Sequence, residues 1–120
     1  MIRVHTMVRI SDNSGAIYGQ CIKVLKNAKI AKPGDIIIVV VKKNMPHKKI
    51  KRGSIHRALL IRTSKALPRY SGHTISFTDN SAVLLGKRDL PVATRIMGPV
   101  YKELREKKYM KVISLSTIVV

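Results

Sequence analysis

Tryptophan is absent from this chain of 120 residues, and phenylalanine and cysteine occur once each. A single cysteine, Cys21, excludes an intrachain disulfide and a thiolate-rich metal site. Four tyrosines and one phenylalanine are too few for an extensive base-stacking surface. No apolar run approaches the roughly eighteen residues that a transmembrane helix requires, so no membrane partner is expected. Acidic side chains are scarce as well, 6 against 24 Lys and Arg. Asp12, Asp35, Asp79, Asp89, Glu103 and Glu106 are little material for paired acid–base carboxylates. The first residues, Met1 to His5, have neither an apolar signal core nor an Arg/Ser-rich presequence pattern. The chain is therefore expected to begin where its domain begins.

What is abundant is positive charge, a net +18. Between Asp35 and Asp79 there is no acidic residue, yet ten Lys or Arg fall there, from Lys42 to Arg69. One-signed charge of this kind opposes compaction by self-repulsion, which points to a polyanionic partner. Nucleic acid is the first candidate. Apolar residues make up 45% of the chain, a globular rather than a disordered composition. They are mainly aliphatic, with fifteen Ile and twelve Val, and such β-branched residues favour strands. The length fits one domain over residues 1–120, burying roughly two-thirds of the unfolded chain's surface.

Thr6 to Ile10 reads as a first strand, stopped by the turn formers Ser11-Asp12-Asn13-Ser14-Gly15. Ala16 to Leu25 reads as a second, with Gly19 marking a possible bulge. A basic loop, Lys26 to Lys32, and the turn Pro33-Gly34-Asp35 follow. Ile36 to Val41 is an unbroken apolar run, the pattern of a strand buried on both faces. Ser54 to Ser64 is a fourth strand, with Ile55, Leu59, Ile61 and Thr63 on one face and Ala58 and Leu60 on the other. Thr74 to Phe77 and Ala82 to Leu85 suggest a hairpin through Thr78-Asp79-Asn80-Ser81. Short strands without intervening helical periodicity predict a mainly β fold, a small antiparallel barrel. One helix is expected from Pro99 onward, with Val100 and Leu104 on one face and Glu103 pairing Lys107. Met110 to Val120 is read as a closing strand or docked tail.

Two basic loops carry the strongest chemical signal. The first, 42–53, holds Lys42, Lys43, Lys48, Lys49, Lys51 and Arg52; the second, 62–73, holds Arg62, Lys65 and Arg69. Solvated surface charge accounts for most charge runs, but no acid lies near enough to neutralise these. Nucleic-acid contact is favoured, of the phosphate kind that positions without reading sequence. Tyr70 and His73 could stack on bases. Asp12-Asn13-Ser14-Gly15 lacks the Gly-x-Ser-x-Gly spacing of a nucleophile turn and is read as a tight turn. His5, His47, His56 and His73 show no metal-ligand spacing. Cys21, beside Ile22, is read as a small core residue. Gly15, Gly34, Gly53 and Gly72 stand at turns where positive φ or close approach to RNA backbone would favour glycine. No catalysis, cofactor, metal or small-molecule substrate is expected.

Ala58-Leu59-Leu60-Ile61, nine residues, Ser71-Gly72, four residues, Phe77, then Asn80 and Val83-Leu84-Leu85 resembles a signature of the universal L14 family of large-subunit ribosomal proteins. Asp12 to Ala16, Cys21 to Leu25, Gly34 to Ile37, Thr94 to Val100 and Glu103 to Arg105 agree with that family in order and spacing. The resemblance implies a five-stranded β-barrel with a protruding β-ribbon and a short C-terminal helix. It also implies binding to large-subunit ribosomal RNA, contacts with neighbouring ribosomal proteins, and a bridge to the small-subunit RNA. In bacteria and organelles the family's exposed C-terminal face receives a ribosome-silencing factor, and the matching positions here are Thr94, Arg95 and Lys111.

Length and termini resemble the bacterial and organellar branch. Ile and Lys fill a quarter of the chain, fifteen of each in 120 residues, as in an AT-rich genome. A mitochondrial ribosome is therefore the favoured location, with a plastid or the bacterial cytoplasm as alternatives. The rival reading is a free-standing basic RNA-binding or chaperone module, which usually presents more aromatics than this chain has.

Overall fold

Period-two alternation sets the first strand, β1 (Met7–Ile10): Val8 and Ile10 turn inward while Met7 and Arg9 face out. The computed structural model describes residues 2–25, 29–69, 71–105, 107 and 109–120. The stacking expected of Tyr70 lies outside these, as do Glu106 and Lys26. β2 (Ala16–Val24) pairs antiparallel with β1 and with β3 (Ile36–Asn44). Its register against β3 shifts at Tyr18/Gly19, where a bulge is expected, and again at Cys21/Lys23. β4 (Ile55–Arg62) pairs antiparallel with β3.

β5 (Leu67–Pro68) and β6 (Thr74–Ile75) form a separate two-stranded ribbon. β7 (Ser81–Leu85) returns to the barrel, antiparallel to β4 and parallel to β1 through Arg9–Ser81 and Ile10–Ala82. The barrel is thus closed in the order β1-β2-β3-β4-β7, with one parallel seam. The predicted hairpin between Thr74–Phe77 and Ala82–Leu85 does not form. β6 takes β5 as its partner, and β7 is drawn to β4 because its apolar residues can be buried there on both faces.

Two cores explain that double burial. Val8, Cys21, Ile37, Val39, Val41, Ala58, Leu60, Ala82 and Leu84 fill the barrel interior. On the outside of β4 and β7, Leu59, Ile61, Val83 and Leu85 pack against Ile96, Val100, Leu104, Val112 and Ile113 of the C-terminal segment. β3 is less enclosed than its apolar run predicts: Ile37, Val39 and Val41 are buried, while Ile36, Ile38 and Val40 are half-buried.

The C-terminal segment differs from expectation. β8 (Ile96–Val100) occupies the start of the predicted helix, and only a 3-10 turn, Lys102–Arg105, follows. The helix, α1, is Met110–Leu115, and β9 (Ser116–Val119) then pairs parallel with β8. Pro99 is accommodated because, among the described residues, β8 pairs with β9 alone as a strand. Glu103 faces Arg69 rather than Lys107, and Lys107 instead meets Asp35 at 3.3 Å. Tyr101 fastens the ribbon to this segment, its ring edge-on to Phe77 at 5.0 Å between centroids and its hydroxyl donating to Ile75 O.

Candidate nucleic-acid interface

The 42–53 loop is built as a rigid platform for its cations. Val41 ends the inward row of β3, and Pro46 cannot donate to a ladder, so the chain leaves the sheet. Ile50 turns back and is only 8% exposed, a burial worth roughly 2 kcal/mol. Asn44 Nδ2 donates to Ile50 O at 2.9 Å, and Gly53 N donates to Val41 O at 2.8 Å. Met45 N donates to Gly15 O at 2.8 Å, joining the loop to the first turn. Gly15 has φ +112°, and a Cβ there would lie 2.2 Å from Lys48 Cβ, so no other residue permits this approach. Gly34, Gly53 and Gly72 also adopt positive φ, as the sequence suggests.

Lys42 and Lys43 are the exposed end of β3, paired with β2, where the sequence predicts the start of a loop; Lys48, Lys49, Lys51 and Arg52 are exposed on the loop itself. Among the described residues none of the six has an ion-pair partner. The second loop is different. Lys65 is exposed, but Arg69 is held by Glu103, with Nε 2.6 Å from Oε1 and Nη2 donating to Oε2 at 3.1 Å; Nη2 also donates to Val120 O.

Arg62 is not a loop residue at all. It ends β4 and is 6% exposed, with its guanidinium fully engaged inside the protein. Nη1 donates to the carbonyls of Met97 and Pro99, both at 3.0 Å, and Nη2 donates to Ser11 Oγ and Ser81 Oγ, both at 2.8 Å. Asp79 supplies the countercharge, 3.3 Å from Nε. Arg62 is therefore a clamp between barrel and β8, and the expectation of a surface phosphate contact gives way to this burial. Gly98, at φ +79°, makes room for it: a Cβ there would fall 2.3 Å from Nη1.

Thr94 and Arg95 lie exposed just before β8, and Lys111 is exposed on α1, which contacts β8. Their backbone is fixed by a residue that the sequence does not single out. Asn13 Oδ1 accepts from the amides of Thr94 at 3.0 Å and Arg95 at 3.2 Å, while its Nδ2 donates to Thr94 Oγ1. The signal in the sequence is only the turn cluster in which Asn13 sits, and an 81-residue separation hides the rest.

The remaining polar groups serve the fold. Asp12 Oδ1 accepts from Ser14 N and Oγ, and Oδ2 accepts from Leu84 N at 3.1 Å, which fixes the turn against β7. Burial pushes the Asp12 carboxyl above its ordinary range, against the opposing effect of those hydrogen bonds. Burial likewise raises the Cys21 thiol, which leaves little nucleophilic thiolate. His56 lies 2.9 Å from Ser54 Oγ and His73 3.1 Å from Ser71 Oγ. Among the described residues no three of His, Cys, Asp and Glu converge as a metal site, and no helix is long and apolar enough to cross a membrane.

A closed barrel whose buried polar groups serve the fold, and which presents cations on its surface, is the architecture of a protein that binds a polyanion. The family model described as ribosomal protein L14p/L23e matches residues 1–120, and the chain belongs to that family. It is a structural protein of the large ribosomal subunit, works in translation and is not an enzyme. Membership implies ribosomal RNA and neighbouring ribosomal proteins as its partners.

Proposed function

We propose that the 42–53 loop anchors the protein to large-subunit ribosomal RNA, and that the face carrying Thr94, Arg95 and Lys111 meets the small-subunit RNA or a silencing factor. Six exposed cations, at the end of β3 and on the loop that follows, with no ion-pair partner among the described residues, are the observation that supports the first part. Cations free of protein partners neutralise phosphates and release counterions, the main source of affinity in sequence-independent RNA binding. The bracing of Thr94 and Arg95 by Asn13 supports the second part, because a backbone already fixed loses little entropy on docking. Lys65 adds a free charge beside the ribbon, whereas Arg69 has a protein carboxylate as its partner and is a weaker RNA contact than the loop lysines. The Ile- and Lys-rich composition favours a mitochondrial ribosome.

Filter binding to a large-subunit RNA transcript at several salt concentrations tests the anchoring role. Lys48→Ala, Lys49→Ala, Lys51→Ala and Arg52→Ala, combined, should reduce the log–log salt slope by roughly 0.7 to 0.9 per lost phosphate contact. An unchanged slope would remove the loop from the interface. Arg95→Glu should leave incorporation into large subunits intact while impairing subunit joining or silencing-factor capture. Loss of that variant from purified large subunits would assign the face to assembly instead.

A further inference from the structure

At the other end of β2 from the 42–53 loop lies a groove of about 540 Å³ that the basic-loop reading does not use. Arg3, Lys23 and Lys29 ring it, and Val4, Ile22 and Ile30 line its apolar floor. Among the described residues no carboxylate borders it. Val4 is 46% and Ile22 38% exposed, an unusual position for aliphatic side chains surrounded by cations.

The groove is a built feature. Arg3 and Thr6 close a tight turn, with Arg3 N donating to Thr6 Oγ1 and Thr6 N to Arg3 O, both at 3.2 Å. His5, inside the turn, adopts φ +74°, a left-handed conformation that side-chain-bearing residues rarely take. It is held there by His5 N donating to Cys21 O at 2.7 Å and by Gln20 Nε2 donating to His5 O at 3.2 Å. The opposite wall is tied by the reciprocal pair between Ile2 and Ala31, at 3.0 and 2.7 Å. The strain at His5 is thus offset by bonds that present Arg3 and Val4 at the groove.

We infer that this groove is a second ribosomal-RNA contact, taking a backbone segment whose phosphates meet Arg3, Lys23 and Lys29 while a sugar or base rests on Val4, Ile22 and Ile30. The inference rests on the RNA-binding reading of the 42–53 loop. Charge complementarity selects RNA over a protein segment: three cations and no acid among the described residues suit a polyanion, and an aliphatic floor suits the apolar faces of sugars and bases. Ala16 pairs with Asn44 at the loop end of β2 and Val24 with Ile37 at the groove end. Eight strand steps separate the two contacts by roughly 25 Å. The barrel would then bind RNA at both ends, and the second contact would fix its orientation.

The test uses the full chain with a large-subunit RNA transcript. Arg3→Ala, Lys23→Ala and Lys29→Ala are combined and compared with the charge-keeping set Arg3→Lys, Lys23→Arg and Lys29→Arg, folding being checked by circular dichroism. The alanine set should lower the log–log salt slope by roughly 2 to 3, and the charge-keeping set should not. A photo-crosslinking benzoylphenylalanine in place of Val4 should label ribosomal RNA in large subunits. A wild-type slope for the alanine set, while the 42–53 loop variants lose theirs, would overturn the groove and leave the loop reading standing. Crosslinking to a ribosomal protein would overturn it in favour of an acidic protein partner. If neither set changed the slope, the RNA-binding reading itself would fall.

Discussion

In the sequence Arg62 belongs to two overlapping readings, the end of the strand Ser54 to Ser64 and the first cation of the basic loop 62–73, and its charge alone favours the loop. Burying a guanidinium is costly unless every donor is met and a countercharge is near. Here backbone carbonyls of β8, two serine hydroxyls and Asp79 meet these needs. Only the planar five-donor fork reaches all of them, so lysine is not a substitute. Arg62→Lys should destabilise the protein by about 3 kcal/mol, measured as a shift in the urea unfolding midpoint at unchanged m-value. A loss below about 0.5 kcal/mol would place Arg62 with ordinary surface cations. In the structure Thr63 is fully buried as well, so the solvated loop begins only at Ser64.

The strands of the barrel were legible because each carries its own period-two or fully apolar pattern, and β1 to β4 and β7 fall where those patterns predict. Their partners were less so. β7 pairs with β4 and β1 rather than with β6, since double burial outweighs a short local turn. Gly98-Pro99 resembles a helix start, yet Gly98 is there to admit the Arg62 guanidinium, a contact 36 positions away that no local signal encodes. The Asn13 brace was hidden by the same sequence distance. Asn13→Ala should raise hydrogen exchange at the Thr94 and Arg95 amides at least several-fold, with little change at β3 or β4. Unchanged protection at those two amides would mean that the brace does not hold this segment. Of the candidate site, the run of cations at 42–53 was legible because charge without nearby acid is a property of sequence alone, but that Lys42 and Lys43 belong to β3 and not to a loop was not. In the second loop the charges were visible, but their burial and pairing were not.

A molecule with a net charge of +18 has few ways to neutralise itself. The ion pairs seen among the described residues, Arg57–Asp89, Arg62–Asp79, Arg69–Glu103 and Lys107–Asp35, engage four cations. The carboxylates are thus placed where the chain folds on itself, and the 42–53 cations are left to a partner. In that division of labour the barrel supplies geometry and ribosomal RNA supplies the opposite charge. The most direct test is sucrose-gradient sedimentation of large subunits carrying either the native protein or the Lys48→Ala, Lys49→Ala, Lys51→Ala, Arg52→Ala variant, at low and at high salt. The native protein should remain with the large subunit through the high-salt wash, while the variant, folded by circular dichroism, should be released. Equal retention of both proteins at high salt would contradict the assignment of RNA anchoring to the 42–53 loop.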